Sequence, residues 1–130
     1  MLNMKNKIET QSAPKAVSAY SQAIEVDGFI YVSGQVAIDP STGTLVEDMT
    51  IENQTKQVLE NIKNILQAAG CSMENVIKTE MFITDMNNYS SVNSIYSIYF
   101  TDGVPPARYC VGVSSLPLGV GVEIAVIAKK

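Results

Sequence analysis

Thr50–Gly70, TIENQTKQVLENIKNILQAAG, decides how the rest of this chain is read. Ile51, Val58, Ile62, Ile65, Leu66 and Ala69 fall on one stripe of a 3.6-residue period, while Glu52, Lys56, Gln57, Glu60, Lys63 and Asn64 lie largely off it. Thr50 can cap the first turn with its hydroxyl, and Gly70 can take the left-handed conformation that closes a helix. A helix with one apolar stripe must cover something, and the segments around it read as strands.

Working outward, Ala23–Val26 and Phe29–Ser33 are predicted strands joined by Asp27-Gly28. Such a link predicts a type I′ hairpin, because both central positions need positive φ. Asp39–Gly43, DPSTG, is a turn cluster with no strand or helix period. Downstream, Val76–Thr84 predicts a strand with Lys78 and Glu80 on one face beside Val76 and Phe82. Asn88–Phe100 predicts a second helix that turns Val92, Tyr96 and either Tyr99 or Ile95 inward, and Thr101–Pro106 breaks it. Ala107–Val113 and Val122–Ala128 are the last strands. The order ββ-α-β-α-ββ predicts a single α+β domain over residues 1–130, one sheet with both helices on one face. The strands are nevertheless apolar on both faces, with Val111 and Val113 against Cys110, and Ile124 and Val126 against Ile127. An apolar sheet face that helices leave uncovered predicts self-association.

Composition narrows the chemistry. A chain of 130 residues, 46% hydrophobic and 17% charged, is globular and buries roughly two-thirds of its unfolded surface. The uncharged stretch Met86–Phe100 is short and broken by Asn and Ser, so no membrane span is expected. MLNMKNKIET has no apolar core of the length a leader needs, which makes the cytoplasm the expected compartment. Cys71 and Cys110 form no CxxC pair and read as small buried hydrophobes. A net charge of −4 opposes attraction to phosphate backbones, so nucleic acid is not an expected partner. The chain has no histidine, which removes Ser-His-Asp and Cys-His catalysis, HExxH zinc sites and the commonest proton shuttle near neutrality.

Against this background PPARYCVGV, Pro105–Val113, stands out, because Arg108 is the only arginine in the chain. VEIAVIA, Val122–Ala128, likewise carries a single charge, Glu123. A charge in an apolar strand is costly unless it is paired or given a ligand. One reading is a cross-strand Arg108–Glu123 ion pair that fixes register. The other is an anion pocket, in which the planar guanidinium grips a carboxylate bidentately and Glu123 activates water. Arg108, Cys110 and Gly112 share a face of their strand. Cys110 lacks an activating histidine and reads as packing. Ser33-Gly34-Gln35 ends a strand, and its glycine would let a ligand approach the backbone closely. Tyr20, after APKAVSA, can be core, lid or site, and Asn93 reads as a solvated helix residue.

Together, APKAVSAYSQAI, Ser33–Gln35, TKQVLENIKNILQAAG, VIKTEMFITDM, VNSIY, PPARYCV and VEIAVIA resemble the reactive-intermediate deaminase family, RidA/YjgF, in register from about Ser12 to Ala128. The resemblance implies a chorismate-mutase-like fold, a homotrimer whose three sheets form an inner barrel, and sites between subunits. It implies hydrolysis of small 2-imino and 2-enamino acids such as 2-aminoacrylate and 2-iminobutyrate to 2-keto acids and ammonia, with no cofactor and no metal. Residue by residue, Arg108 matches the carboxylate-binding arginine that marks the family's active branch. Glu123 matches the acid that positions the attacking water. The backbone of Cys110 matches a contact on the substrate's amine side, and Tyr20, Ser33, Gly34 and Asn93 match pocket positions. Tyr109 and Pro105 depart from the familiar pattern, where a small hydroxyl residue and a bulkier apolar residue are common. Strand alternation turns Tyr109 away from Arg108. Endoribonuclease activity, also attributed to the family, and non-catalytic metabolite binding are the alternatives.

Overall fold

The computed structural model of the chain describes residues 4–130. Residues 1–3, the start of the segment read as lacking a leader, lie outside the described residues. The order is β1 (Asn6–Ile8), β2 (Ala23–Val26), β3 (Phe29–Gln35), β4 (Ile38–Asp39), β5 (Thr44–Leu45), α1 (Ile51–Ala68), β6 (Val76–Ile83), α2 (Tyr89–Tyr99), β7 (Ala107–Gly112) and β8 (Val122–Lys129). Six strands form one mixed sheet in the order β1-β2-β3-β8-β6-β7, and β4 pairs with β5 apart from it. Only β6 and β7 run parallel, joined through α2, because parallel neighbours need a long crossover.

Local chemistry accounts for the predicted elements. Asp27 and Gly28 take φ of 52° and 80°, as a type I′ turn requires, and Val26 pairs with Phe29 across it. Thr50 caps α1 by accepting from the Asn53 N–H, and Gly70 at φ 78° follows its end. Val58, Ile62, Ile65 and Leu66 of α1 are fully buried over β3 and β8, and α2 lies beside α1 with Val92 and Tyr96 inward. Ile30, Met81, Ile83, Ile124 and Val126 supply the sheet's side of this core. Each large apolar side chain so buried contributes about 1.5–3 kcal/mol, which stabilises the helices far more than their own propensities do.

Three features differ from the sequence-based expectation. β1 is a three-residue edge strand, NKI, too short and too polar to show a period. The ends of the DPSTG turn pair as β4 and β5, with Ile38 opposite Leu45. Val76 does not share a face with Lys78. The β6–β8 register shifts between these residues, so Val76 turns into the core at 3% exposure, while Lys78, Glu80 and Phe82 stay on the other face. The extra residue of a bulge flips the parity of everything before it.

The face away from the helices carries Ile24, Tyr31, Phe82, Tyr109, Val111 and Ile127. Tyr31, Tyr109 and Val111 remain 41%, 40% and 42% exposed. Tyr109 points away from Arg108 as alternation predicts: its hydroxyl donates to Glu80 Oε2 at 2.6 Å, and its ring meets Phe82 edge-on.

Candidate active site

The parallel register puts Arg108 level with Thr79 and Cys110 level with Met81. Thr79 and Met81 are buried under the helices, so Arg108 and Cys110 belong to the helix-facing side, at the margin of edge strand β7. The first residue of α2 meets the arginine there. Arg108 Nη2 donates to Tyr89 Oη at 2.5 Å. The guanidinium carbon stands 4.8 Å from the Tyr96 ring centroid and 5.7 Å from that of Tyr89, an attraction between a cation and two aromatic faces. Tyr96 is itself fixed, because its buried hydroxyl donates to Thr79 Oγ1 at 3.0 Å. Asn93, half-buried, lies on the same face of α2 one turn after Tyr89. Burial raises the Cys110 thiol above its ordinary pKa, partly opposed by Arg108, which leaves it a neutral thiol and a poor nucleophile.

Glu123 is built differently. Val122 and Ile124 on either side of it are buried, so its own side chain lies on the open face. In the β3–β8 pairing Val32 faces Val126 and Gln35 faces Ile124, a shift that makes Ser33-Gly34 a bulge. A Cβ at Gly34 would stand 2.1 Å from Glu123 Oε2, so the carboxylate lies directly on the glycine's backbone. Burial pushes the Glu123 carboxyl above its ordinary pKa. The Ser33 hydroxyl is committed to the backbone: it donates to Ser21 O at 2.6 Å, and Ser33 N donates to Gln22 O at 2.9 Å. Both bonds hold the segment that presents Tyr20, itself 51% exposed.

Two buried glutamines that the sequence reading passed over support this arrangement. Gln22 accepts from Thr10 N at 2.7 Å and donates to Thr10 O, Ala13 O and Pro14 O, which anchors the loop before Tyr20. Gln54 accepts from Gly121 N at 2.9 Å and donates to Met49 O, which pins the start of α1 to the start of β8, two residues before Glu123. Gln54 falls on the apolar stripe of α1, a signal available in the sequence. Gln22 has no such signal.

Replacing Gly34 by Ala tests the bulge. The backbone there needs no positive φ, so the protein is expected to fold with little change in Tm. The Glu123 carboxylate must move aside, and for the imine hydrolysis that the family resemblance implies a displacement of about 1 Å is expected to lower kcat/KM on the order of 10–100-fold. Keto-acid release and a melting curve measure the two effects separately.

Within one chain Arg108 and Glu123 do not meet. β6 lies between β7 and β8, Glu123 is level with Phe82 rather than Thr79, and the two side chains take opposite faces of the sheet. A cross-strand ion pair between them is therefore not what sets register. Arg108, Cys110 and Asn93 form one group, and Glu123, Gly34, Ser33 and the Tyr20 loop form another. Among the described residues no three His, Cys, Asp or Glu side chains converge in a set able to hold a metal ion.

Comparison with known proteins identifies the lineage. The family model described as Endoribonuclease L-PSP matches residues 10–130. A mouse protein named 2-iminobutanoate/2-iminopropanoate deaminase is 50% identical over 121 residues, 93% of this chain and 88% of its own. The crystal structure of YyfA from Yersinia pestis, described as a member of the conserved Rid protein family, is 52% identical with a TM-score of 0.94, over 97% of this chain and 99% of that one. TdcF of E. coli, solved with bound serine, is 38% identical with a TM-score of 0.90, over 96% and 98%. A match that runs through all but the first residues, on a mixed sheet with both helices on one face, means that this chain belongs to the RidA/YjgF family.

Proposed function

We propose that this protein is a 2-iminobutanoate/2-iminopropanoate deaminase, a single domain over residues 1–130 that uses neither cofactor nor metal and acts as a cytoplasmic homotrimer. The observation that carries the reading is the division of charge across the sheet: an aromatically held Arg108 on the helix side, and Glu123 lying on Gly34 on the open side. Only a second copy of the chain can bring a guanidinium to that carboxylate, and the apolar open face supplies the contact that would hold the copies together. In the chorismate-mutase-like arrangement three such faces line a central barrel, with the sites in the clefts between neighbours. The name of the mouse relative supports the activity. The serine bound in TdcF supports a small carboxylate ligand.

The chemistry follows from the groups present. Arg108 takes the carboxylate of a 2-imino acid, which turns the imine carbon toward the neighbouring subunit's carboxylate. The Cys110 carbonyl accepts a hydrogen bond from the iminium nitrogen and so favours its protonated, electrophilic form. Glu123, ionised, takes a proton from a water as its oxygen bonds to the imine carbon and the C=N π pair moves to nitrogen. The resulting carbinolamine receives that proton on nitrogen. Glu123 then takes the hydroxyl proton as the oxygen lone pair forms C=O and the C–N bond breaks, and it passes this proton to the departing ammonia as the 2-keto acid leaves. Tyr20, with Ser33 and Asn93, borders the cleft. Such imines already hydrolyse in water, so positioning and one base suffice.

RNA cleavage, suggested by the family description, fits the residues less well: eight lysines and one arginine against thirteen acids leave no basic stripe to follow a phosphate backbone. The deciding experiment generates 2-aminoacrylate and 2-iminobutanoate with a pyridoxal-phosphate dehydratase and follows keto acid and ammonia with and without this protein. Faster release that Arg108→Ala abolishes is expected. Release at the uncatalysed rate would overturn the reading, and so would a solution mass of one 14.1 kDa chain at micromolar concentration.

A further inference from the structure

We infer that Tyr89 is a positioning residue that leaves Arg108 a single edge for bidentate carboxylate binding; the inference rests on the deaminase reading of the site. A guanidinium offers a carboxylate two bidentate edges, one made by Nη1 and Nη2 and the other by Nη2 and Nε. Nη2 belongs to both, with one hydrogen directed along each. Tyr89 Oη occupies one of those hydrogens, so whichever it is, one edge is closed and the other stays whole. The plane is fixed as well: Tyr96 lies against the guanidinium with its hydroxyl tied to Thr79, and the Tyr89 ring flanks it. Rotation about the terminal bonds would break the Tyr89 contact, and tilting would break the Tyr96 contact.

The consequence is one pose for the substrate. A carboxylate that can dock on either edge presents its imine carbon in two directions, and only one of them faces the general base. Tyr89 removes the unproductive orientation before the ligand arrives, so ordering is not left to the encounter.

The chain's single arginine makes this measurable, because its guanidinium gives the only arginine side-chain signals in a proton–nitrogen correlation spectrum. In the parent, the Nη hydrogens are expected to be resolved and to stay resolved when 2-oxobutanoate binds. In Tyr89→Phe, which keeps the ring, they should average into one signal. Turnover gives a second readout. Unproductive binding lowers kcat and KM together, and two edges of similar affinity divide the substrate between two poses. Tyr89→Phe is therefore expected to lose about 2-fold in both kcat and KM while 2-oxobutanoate binds at least as tightly. A role in packing alone would raise KM and lower Tm. Averaged Nη signals in the parent, unchanged signals in Tyr89→Phe, or a variant whose KM rises at constant kcat would each overturn the inference. A parent that binds 2-oxobutanoate with resolved Nη hydrogens but hydrolyses no imine would overturn the proposed function and uphold the role of Tyr89. If Tyr89→Phe fails to fold, the parent's spectrum alone decides.

Discussion

Two inactive variants, Arg108→Ala and Glu123→Gln, are expected to form an active enzyme when their subunits are mixed. Each variant assembled alone lacks one half of every site. Losing the guanidinium removes two charge-assisted hydrogen bonds, which is expected to cost roughly 10²-fold or more in kcat/KM. In the proposed trimer, a closed ring, each site would draw its arginine from one subunit and its glutamate from the next. A mixed trimer of either ratio therefore holds one site in which both groups are intact. With the two chains carrying different tags and mixed assemblies isolated by sequential purification, about one third of the parent's activity should return. Mixed assemblies no more active than the separate variants would sink the inter-subunit site, because a site contained in one chain cannot be repaired from its neighbour. The opposite faces taken by Arg108 and Glu123 make the outcome specific to this sheet.

The second large effect is that of Glu123→Gln alone, expected to lower kcat on the order of 10²–10⁴-fold while 2-oxobutanoate still binds. Its sign with pH follows from the direction of the shift. Burial raises the Glu123 carboxyl above its ordinary value. The base works only when ionised, so the parent's activity should rise with pH through that raised pKa and fall away as acid protonates it. The variant should show no such limb. Stability runs the other way. A group whose folded pKa lies above its unfolded one contributes stability that is fully present below the unfolded pKa and is lost as pH rises through the folded pKa. At neutral pH the ionised carboxylate is therefore a cost to the single chain, and in the proposed trimer the neighbour's guanidinium offsets that cost. Glu123→Gln is thus expected to melt close to the parent, with any difference vanishing in acid. A variant that melts well below the parent at neutral pH would mean that Glu123 holds the fold together and is no base.

Much of this architecture was legible in the order of residues because it depends on near neighbours. The Asp27-Gly28 turn, the Thr50 cap, the α1 stripe and the alternation that sends Tyr109 and Arg108 to opposite faces are set within a few residues by backbone sterics and periodicity. The two charges in apolar strands were legible for the same reason, and the resemblance implied a role for each. What the order of residues left open needed pairing across the sheet. β7 and β8 are consecutive strands, yet β6 separates them, and that crossover alone forbids the Arg108–Glu123 ion pair that adjacency in sequence suggested. The bulges at Val76 and at Ser33-Gly34 change which face a side chain takes, and no local period reports them. Tyr89 meets Arg108 from nineteen residues away, and Gln22 is an ordinary polar residue until the loop it anchors closes over it. The sequence by itself determined both helices, the five longer strands and the fold class, since these follow from local sterics and periodicity. Only the tertiary structure decided that Arg108 and Glu123 take opposite faces of the sheet with β6 between their strands, because which face and which neighbour a strand takes depends on long-range pairing.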